Sequence, residues 1–418
     1  MKNGVKVAVI GAGASGMMAA ITASEFGAEV TLYEKNDRVG KKILATGNGR
    51  CNFSNLALSV EQYYCDDKDK LDKLFQTFSA LDAVSFFEKC GMMTKSKNGY
   101  LYPYSEQASA VLDILRMELV EKEVKLCSET EITDIIYSRE KMAFQLKEPD
   151  GKKRCYDKVI LACGSPASLK KGAGRTGYKL AESLGHRIRP IMPGLVQLIS
   201  DAPFCKSLAG VRCQAGIRLL IDGEEHASEQ GEVQFTDYGV SGIPIFQVSR
   251  LAGYALREGR EVTILLDFFP EQGDRQAFEE FVRKRFINNQ NRTLEEFLTG
   301  TLNRKINMVL IKQCGCKTNM TAAEAGYGKI SEMMQKSRAF EIHINGINSV
   351  ENAQICAGGV AFEELDAKLQ SKLVPGLYVT GELVDVDGKC GGYNMQWAWT
   401  SGYIAGKSAA EDGKTVKE

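Results

Sequence analysis

The chain is poor in histidine and has no cysteine pair suited to redox work. Only His186, His226 and His343 occur in 418 residues. That is too few for a histidine-rich metal site and leaves little room for a Ser-His-Asp triad. His186, at the end of a helical stretch 177–185, reads as structural. The 12 cysteines are scattered. They do not form the framework of a small disulfide-rich domain, and a cytoplasmic location, which is the expectation, keeps them reduced. Cys314-Gly315-Cys316 is a C-x-C; it is not the C-x-x-C of a dithiol pair, and no second pair completes a zinc site, so no metal is expected. Net charge is absent too, because 53 basic residues balance 53 acidic ones. Nothing global therefore points to nucleic acid or an anionic membrane as partner, and neither is expected. No apolar run is long enough to span a bilayer, and a strand follows directly on the N-terminus, so no signal peptide is expected. Internal repeats and low-complexity tracts are missing.

What the chain does have is glycine in meaningful places. Residues 5–16 read VKVAVIGAGASG. An apolar strand, 5–10, runs into Gly11-Ala12-Gly13-Ala14-Ser15-Gly16, and a small-residue helix follows over 17–26. Strand, G-x-G-x-x-G and helix in that order form the setting of a dinucleotide pyrophosphate site. Gly11 makes the tight turn, Gly13 admits the pyrophosphate, and Gly16 lets helix and strand pack closely. The helix N-terminus offers free N–H groups and a positive dipole end. A second strand, 29–33, ends at Glu34, the place for an acid that accepts from ribose hydroxyls. A βαβ unit without ligand is the competing reading.

Three further patches carry chemistry. The loop 40–55, GKKILATGNGRCNFSN, combines Gly47 and Gly49 with the polar Thr46, Asn48, Arg50 and Asn52. Its cations Lys41, Lys42 and Arg50 suit a pyrophosphate or a flavin carbonyl, although a solvated basic loop has the same composition. The buried-strand run 158–162 ends at Ala162-Cys163-Gly164, where parallel sheets bind ligands. A nearby GAGRTG, from Gly172 to Gly177, lacks a preceding strand and reads as a helix start. Near the other terminus, Gly381-Glu382 follows a strand, 376–380, and Gly391-Gly392 precedes a helix from about Asn394. That helix N-terminus suits a flavin C2 carbonyl and N1, which gain negative charge on reduction. Trp397 and Trp399 read as core packing. A site closed by the far end of the chain suits an extended, permanently bound FAD better than a transient nicotinamide.

At this length two or three domains are expected. Helical patterns cover 70–90 and 108–122, a strand 124–128, and a β-meander 131–157 with a turn at Pro149-Asp150-Gly151. The expected division is a first FAD-binding segment 1–193, a β-rich insertion 194–272 on the substrate side, a helical insertion 273–340 opened in part by a capping box at Thr293 and Glu296, and a second FAD-binding segment 341–418. The tail after 411 is charged and reads as frayed.

Five segments carry a family resemblance: 9–20, 40–55, 231–242, 353–360 and 374–402. With them the chain resembles the BaiN-type, aminoacetone-oxidase-like (YhiN-like) family of FAD-dependent oxidoreductases over nearly its whole length. The resemblance implies an α/β fold, a glutathione-reductase-like FAD-binding Rossmann domain with an inserted β-barrel-like part and a helical part that cover the flavin. It implies FAD contacts at Gly11, Gly13, Ala14, Ser15, Gly16, Glu34, Lys35, Lys42, Gly47, Gly49, Arg50, Cys51 and Asn52, and at Gly381, Glu382, Asp387, Gly391, Gly392, Tyr393 and Asn394. Thr46, Ala162 and Gly164 join them from the patches above, and the adenine would meet backbone groups at Glu131-Ile132. The stretch 172–178 lacks an acid that many relatives carry before the helix. Members look like oxidases of small amino ketones or like NADH- or NADPH-dependent reductases of unsaturated 3-oxo bile-acid or steroid-like enones; the second reading leads here. Tyr238 and Tyr393 are the expected proton donors, each with buried packing as the alternative. Cys51 and Cys390 lack a partner thiol and read as packing. A flavin-binding redox sensor without turnover ranks lower. The substrate is a small molecule, and oligomeric state is open.

Overall fold

The computed structural model describes residues 4–169 and 173–411. Gly172, the first glycine of GAGRTG, and the charged tail after Glu411 lie outside them. The chain forms two compact units, one from residues 1–192 with 355–418, the other from 193–354.

The first unit is built on a five-stranded parallel sheet in the order Leu377–Val379, Lys158–Leu161, Lys6–Ile10, Glu29–Tyr33, Lys125–Cys127. The near-continuous apolar runs VAVI and VIL explain its position, since Val7, Val9, Val159 and Ile160 are all fully buried. Parallel strands covered on both faces need such runs. The first strand is central and the chain departs from it in both directions, so a topological switch point lies at its C-terminal end. A separate antiparallel meander, Ile135–Ser138, Ala143–Lys147 and Lys153–Tyr156, precedes the fourth strand of the chain's sheet path. The helical pattern of 70–90 is two helices, Lys68–Thr77 and Ala80–Lys89. Ser79 separates them, capping the second helix in a reciprocal box with Asp82.

The closing helix, Tyr393–Glu411, packs directly on the first helix, Ala14–Glu25. A Cβ on Gly402 would lie 2.4 Å from the Ser15 carbonyl oxygen, and one on Gly406 2.4 Å from that of Ala19. Backbone therefore meets backbone. Trp397 and Trp399 are buried beside this contact, and each indole N–H donates to a carbonyl, Trp397 to Gly381 at 3.0 Å and Trp399 to Phe53 at 2.8 Å.

The second unit holds a seven-stranded antiparallel sheet in the order Phe340–Ile344, Val262–Asp267, Arg212–Ile221, Glu224–Thr236, Gly239–Ser241, Leu198–Ile199, Gly346–Ile347. Its two edge strands are joined by Asn345 alone, whose N–H donates to the Ile199 carbonyl at 3.0 Å. One residue spans only a few ångströms, so the sheet must curl until its edges adjoin, which makes it barrel-like. The helices Arg275–Asn288, Leu294–Leu298, Arg304–Gln313 and Ala322–Lys336 share one core with these strands; Phe278, Phe297, Leu310 and Met333 pack with Ile264, Phe340 and Ile342. Thr293 and Glu296 form the expected capping box.

One boundary needs correction. The return to the first unit was expected at 341 and lies at Ile355. The segment Phe340–Ile344 pairs with Val262–Asp267, with Ile342 opposite Ile264. Its sequence FEIHI alternates buried and exposed, the pattern of a half-covered antiparallel strand and not of a parallel one. Among the described residues no helix is long and apolar enough to cross a membrane.

The helix crossing gives a direct test. Gly406→Ala should destabilise the first unit by about 1–3 kcal/mol, because its methyl has backbone in its way. Gly328, inside the helix Ala322–Lys336, has nothing within 4 Å of a Cβ. Gly328→Ala should instead stabilise by about 0.5–1 kcal/mol. Denaturant melting checks both; a neutral Gly406→Ala would mean that the crossing is looser than described.

Candidate functional site

The site is assembled at the C-terminal ends of the parallel strands of the first unit. Gly11 turns at φ 103° and donates its N–H to the Tyr33 carbonyl at 2.8 Å. A Cβ there would lie 2.5 Å from the Ala162 carbonyl oxygen, and one on Gly16 only 1.8 Å from that of Gly11. These two glycines thus close the turn and seat the helix on it. Gly13 differs: nothing lies within 4 Å of a Cβ. It precedes a helix that starts at Ala14 with no side-chain cap and no acid in its first turn. The N–H groups at that end, including those of Ala14 and Ser15, are therefore available to an anion.

Glu34 is buried at the end of the second strand. Its Oε2 accepts from the Ala12 N–H at 3.0 Å, and its Oε1 from the Asn36 N–H at 2.9 Å and the Asn36 amide at 2.5 Å. The carboxylate fixes the glycine loop and keeps acceptor capacity, since four lone-pair directions exist. Lys35 is exposed and Ile132 buried. Ala162 donates its N–H to the Ile10 carbonyl at 2.8 Å, and Gly164 follows at φ 66° with open space beside it.

From the far end of the chain, Gly381 abuts Ser15; its Cβ would be 2.4 Å from the Ser15 hydroxyl. Glu382 then ties together three distant segments. Its Oε2 accepts from Lys42 Nζ at 2.8 Å, and its Oε1 from the Ser165 hydroxyl at 2.7 Å and the Cys356 N–H at 3.0 Å. Gly391 and Gly392 have φ of 131° and 91°. Asn55 Nδ2 donates to the Gly391 carbonyl at 2.9 Å, and a Cβ on Gly392 would sit 2.8 Å from Asn52 Oδ1. Asn394 closes the turn before the helix: its Oδ1 accepts from the Gly388 N–H at 2.8 Å and its Nδ2 donates to the Gly388 carbonyl at 2.7 Å. Asp387 is buried on a short strand paired with Tyr63-Tyr64. The Tyr63 hydroxyl donates to the Tyr393 carbonyl at 2.7 Å. Burial, and then the neighbouring Tyr100, raise the Tyr393 phenol above its ordinary value.

The basic loop is a chain of left-handed residues. Gly47, Asn48, Gly49 and Cys51 have φ of 54°, 54°, 83° and 54°. The Thr46 hydroxyl donates to the Ile43 carbonyl at 2.6 Å. Residues 47–50 are exposed, whereas Cys51 is buried and its thiol pushed up to about 11.

All first-unit candidates except Lys35 and Ile132 therefore belong to one structure of linked loops. Two buried polar atoms in it, Asn52 Oδ1 and the Tyr178 hydroxyl, have no hydrogen-bond partner. An elongated cofactor with an anionic diphosphate and a polar ring system fits this set of free donors, orphaned polar atoms and side-chain-free glycines. Tyr238 belongs to the second unit, in the turn between Glu224–Thr236 and Gly239–Ser241, and is 39% exposed. His186 is buried, with Nδ1 2.9 Å from Glu364 Oε2 and Nε2 2.8 Å from the Ser371 hydroxyl, a structural tie.

Sequence reasoning missed Ser165 and Cys356, and it read Tyr178 only as the start of a helix against the ligand, with no role for its hydroxyl. It also missed the hairpin Thr94–Lys97 to Tyr100–Pro103, which turns on Asn98-Gly99 with φ of 53° and 85°. Asn-Gly between strand-like runs is the strongest short-range hairpin signal, so this one was legible.

A family model, the HI0933-like protein Rossmann domain, matches residues 5–408. The chain is 40% identical over 414 residues to a 3-dehydro-bile acid delta(4,6)-reductase of Clostridium scindens, covering 97% of this chain and 99% of the relative. It is 27% identical over 409 residues to a ribosomal RNA dihydrouridine synthase of Escherichia coli, covering 96% and 98%. The corresponding figures for the Haemophilus influenzae enzyme of that name are 27% over 406 residues, 96% and 97%.

Thiol labelling probes the packing of the site. Cys51 and Cys356 are buried with thiols raised to about 11, whereas Cys155 is exposed. The thiolate is the nucleophile, so at pH 8 roughly one buried thiol in a thousand is reactive. Alkylation of the folded protein followed by mass mapping should mark Cys155 and spare the other two until the pH nears 11. Equal labelling of Cys51 at pH 8 would contradict the loop geometry.

Proposed function

The chain belongs to the HI0933-like Rossmann family and is a flavin-dependent oxidoreductase, and from that premise we propose that it saturates a carbon–carbon double bond conjugated with a carbonyl in a ring substrate, a 3-oxo bile-acid-type enone or dienone being the leading case. The observation that carries this reading is the 40% identity to the bile acid reductase over 414 residues. That span includes both units, so it covers more than a shared cofactor fold. The dihydrouridine synthases support the reaction class rather than the substrate, because reduction of a uracil ring also saturates a double bond conjugated with a carbonyl. Ribosomal RNA is the second substrate reading, favoured only by the 27% identity to those two relatives.

The residues divide the work. The open N–H groups after Gly13 would hold the diphosphate of FAD, and Glu34 would accept from a ribose. Asn52, Tyr178 and the turn Gly391-Gly392 would face its more polar ring portion. When bound, FAD supplies two-electron hydride chemistry, with NADH or NADPH as the proposed donor. Glu382 keeps Lys42 in place rather than in solvent. Tyr393 is the proposed proton donor to the substrate α-carbon, with Tyr238 as the competitor. A phenol raised by burial stays protonated through neutral pH and can give up a proton to a developing enolate.

Anaerobic mixing tests the reading. The purified protein should show flavin absorption bands that NADH or NADPH bleaches rapidly, and a 3-oxo-4,6-diene bile acid should restore them. Tyr393→Phe should slow the restoring half-reaction about a hundredfold and leave the bleaching half-reaction unchanged. Slow bleaching with either nucleotide, together with rapid reoxidation by oxygen, would favour an amino ketone oxidase instead. A larger effect of Tyr238→Phe on restoration would transfer the donor role to Tyr238.

A further inference from the structure

The short sheet formed by Ser54-Asn55, Thr94–Lys97 and Tyr100–Pro103 lies against the glycine turn that precedes the closing helix. A Cβ on Gly391 would meet Tyr100 Cε1 at 2.9 Å and Tyr393 Cε2 at 3.3 Å. The two phenol rings therefore flank Gly391. Register then defines a face. Tyr100 stands opposite Asn55 on one side and Lys97 on the other, and Tyr102 stands opposite Lys95. Directly opposed residues share a face, and residues two apart on one strand do as well. Tyr100, Tyr102, Lys95 and Lys97 are thus on one side, while Leu101 and Pro103 are buried on the other.

That face is unusual in what it leaves available. Tyr100 is 39% exposed although it touches the turn of the candidate site. Lys95 is engaged, with Nζ 2.7 Å from Glu106 Oε1, and Arg50 lies 3.8 Å from the same carboxylate. Lys97 makes no ion pair or hydrogen bond through its side chain among the described residues. Three cations around one acid, with Lys97 acting on Glu106 only at longer range, leave the face positive. The tyrosines offer flat apolar area with polar tips, the usual lining of small-molecule sites.

We infer that this face binds the substrate, with Tyr100 as the platform for a flat, ring-bearing carbonyl compound and Lys97 as the partner of a carboxylate at that compound's far end. The inference rests on the reductase reading above and adds to it a specificity: an acid is preferred over its neutral ester. Tyr100 and Lys97 are binding residues here, and no proton transfer is assigned to them. A single-stranded RNA would also suit stacked rings beside a cation. One lysine without a direct ion pair, beside cations that are directly paired with Glu106, favours a single terminal charge over a phosphate chain.

Binding to the flavin-loaded protein, followed by perturbation of its flavin absorption, tests the inference with three probes: a 3-oxo-4,6-diene bile acid, its methyl ester, and a short oligouridylate. The wild type should bind the acid more tightly than the ester. Lys97→Gln should remove most of that preference, weakening the acid about five- to tenfold and the ester little, with the same change seen in KM. Tyr100→Ala should weaken acid and ester alike, by about tenfold or more, whereas Tyr100→Phe should retain most of the affinity. Flavin content per chain should stay at the wild-type value in all three variants, which separates lost binding from lost folding. If the wild type binds and reduces the acid but neither Lys97→Gln nor Tyr100→Ala alters binding, the face is not the substrate site and the reductase reading stands. If the wild type neither binds nor reduces the acid, the reductase reading fails and takes this inference with it. Tight oligouridylate binding that both variants abolish would overturn the inference in favour of RNA.

Discussion

The close crossing of the first and last helices is the constraint on which the site depends. Gly402 and Gly406 let the closing helix lie against the carbonyls of Ser15 and Ala19 with no side chain between them. A larger residue at either place would push apart the two ends of the chain. Everything functional on the C-terminal side is positioned from this contact. Gly381 rests on Ser15, Trp397 donates to the Gly381 carbonyl, and Ser401 accepts from the Gly381 N–H at 2.9 Å. The strand Leu377–Val379 is thereby held at the edge of the parallel sheet, and Glu382 arrives beside Lys42, Ser165 and Cys356.

Glu382 and Glu34 do similar work in the loops around the strand ends. Each carboxylate is largely enclosed and accepts three hydrogen bonds from segments remote in sequence or in the turn beside it. A buried carboxylate is tolerable only when its oxygens are met in this way. The consequence is a rigid frame around flexible-looking loop sequence. In the same unit two buried side-chain atoms, Asn52 Oδ1 and the Tyr178 hydroxyl, are left without protein partners. Polar atoms left unpaired in an otherwise satisfied frame are what a bound cofactor would complete.

Legibility in the sequence followed the range of the interaction. The glycine loop, Glu34 and the capping box at Thr293 are short-range devices, and each was readable from spacing alone. The buried runs 6–10 and 158–161 were readable as parallel strands because both faces are covered. The strand Phe340–Ile344 alternates visibly, but it follows a helical region whose end reads as the end of the insertion, so its pairing with Val262–Asp267 is not evident from sequence. The Asn98-Gly99 hairpin had a clear signal that went unread, and with it went Tyr100. Gly402 and Gly406 were different. Their spacing marks a helix face, but only the partner helix, nearly the whole chain away, explains why that face must be bare. Ser165 and Cys356 were invisible for the same reason, since their role exists only through Glu382. Zero net charge correctly described the chain as a whole and said nothing about a local face such as that around Lys97.

If the two ends of the chain build one cofactor site, a side chain placed at the helix crossing must cost the protein its flavin. Flavin content per chain, measured on purified wild type and on Gly402→Val, tests this most directly. Flavin is expected at one per chain in the wild type and is expected to be lost in the variant, with the separate unit 193–354 still melting cooperatively. A folded Gly402→Val protein that holds flavin with wild-type affinity would contradict the shared site.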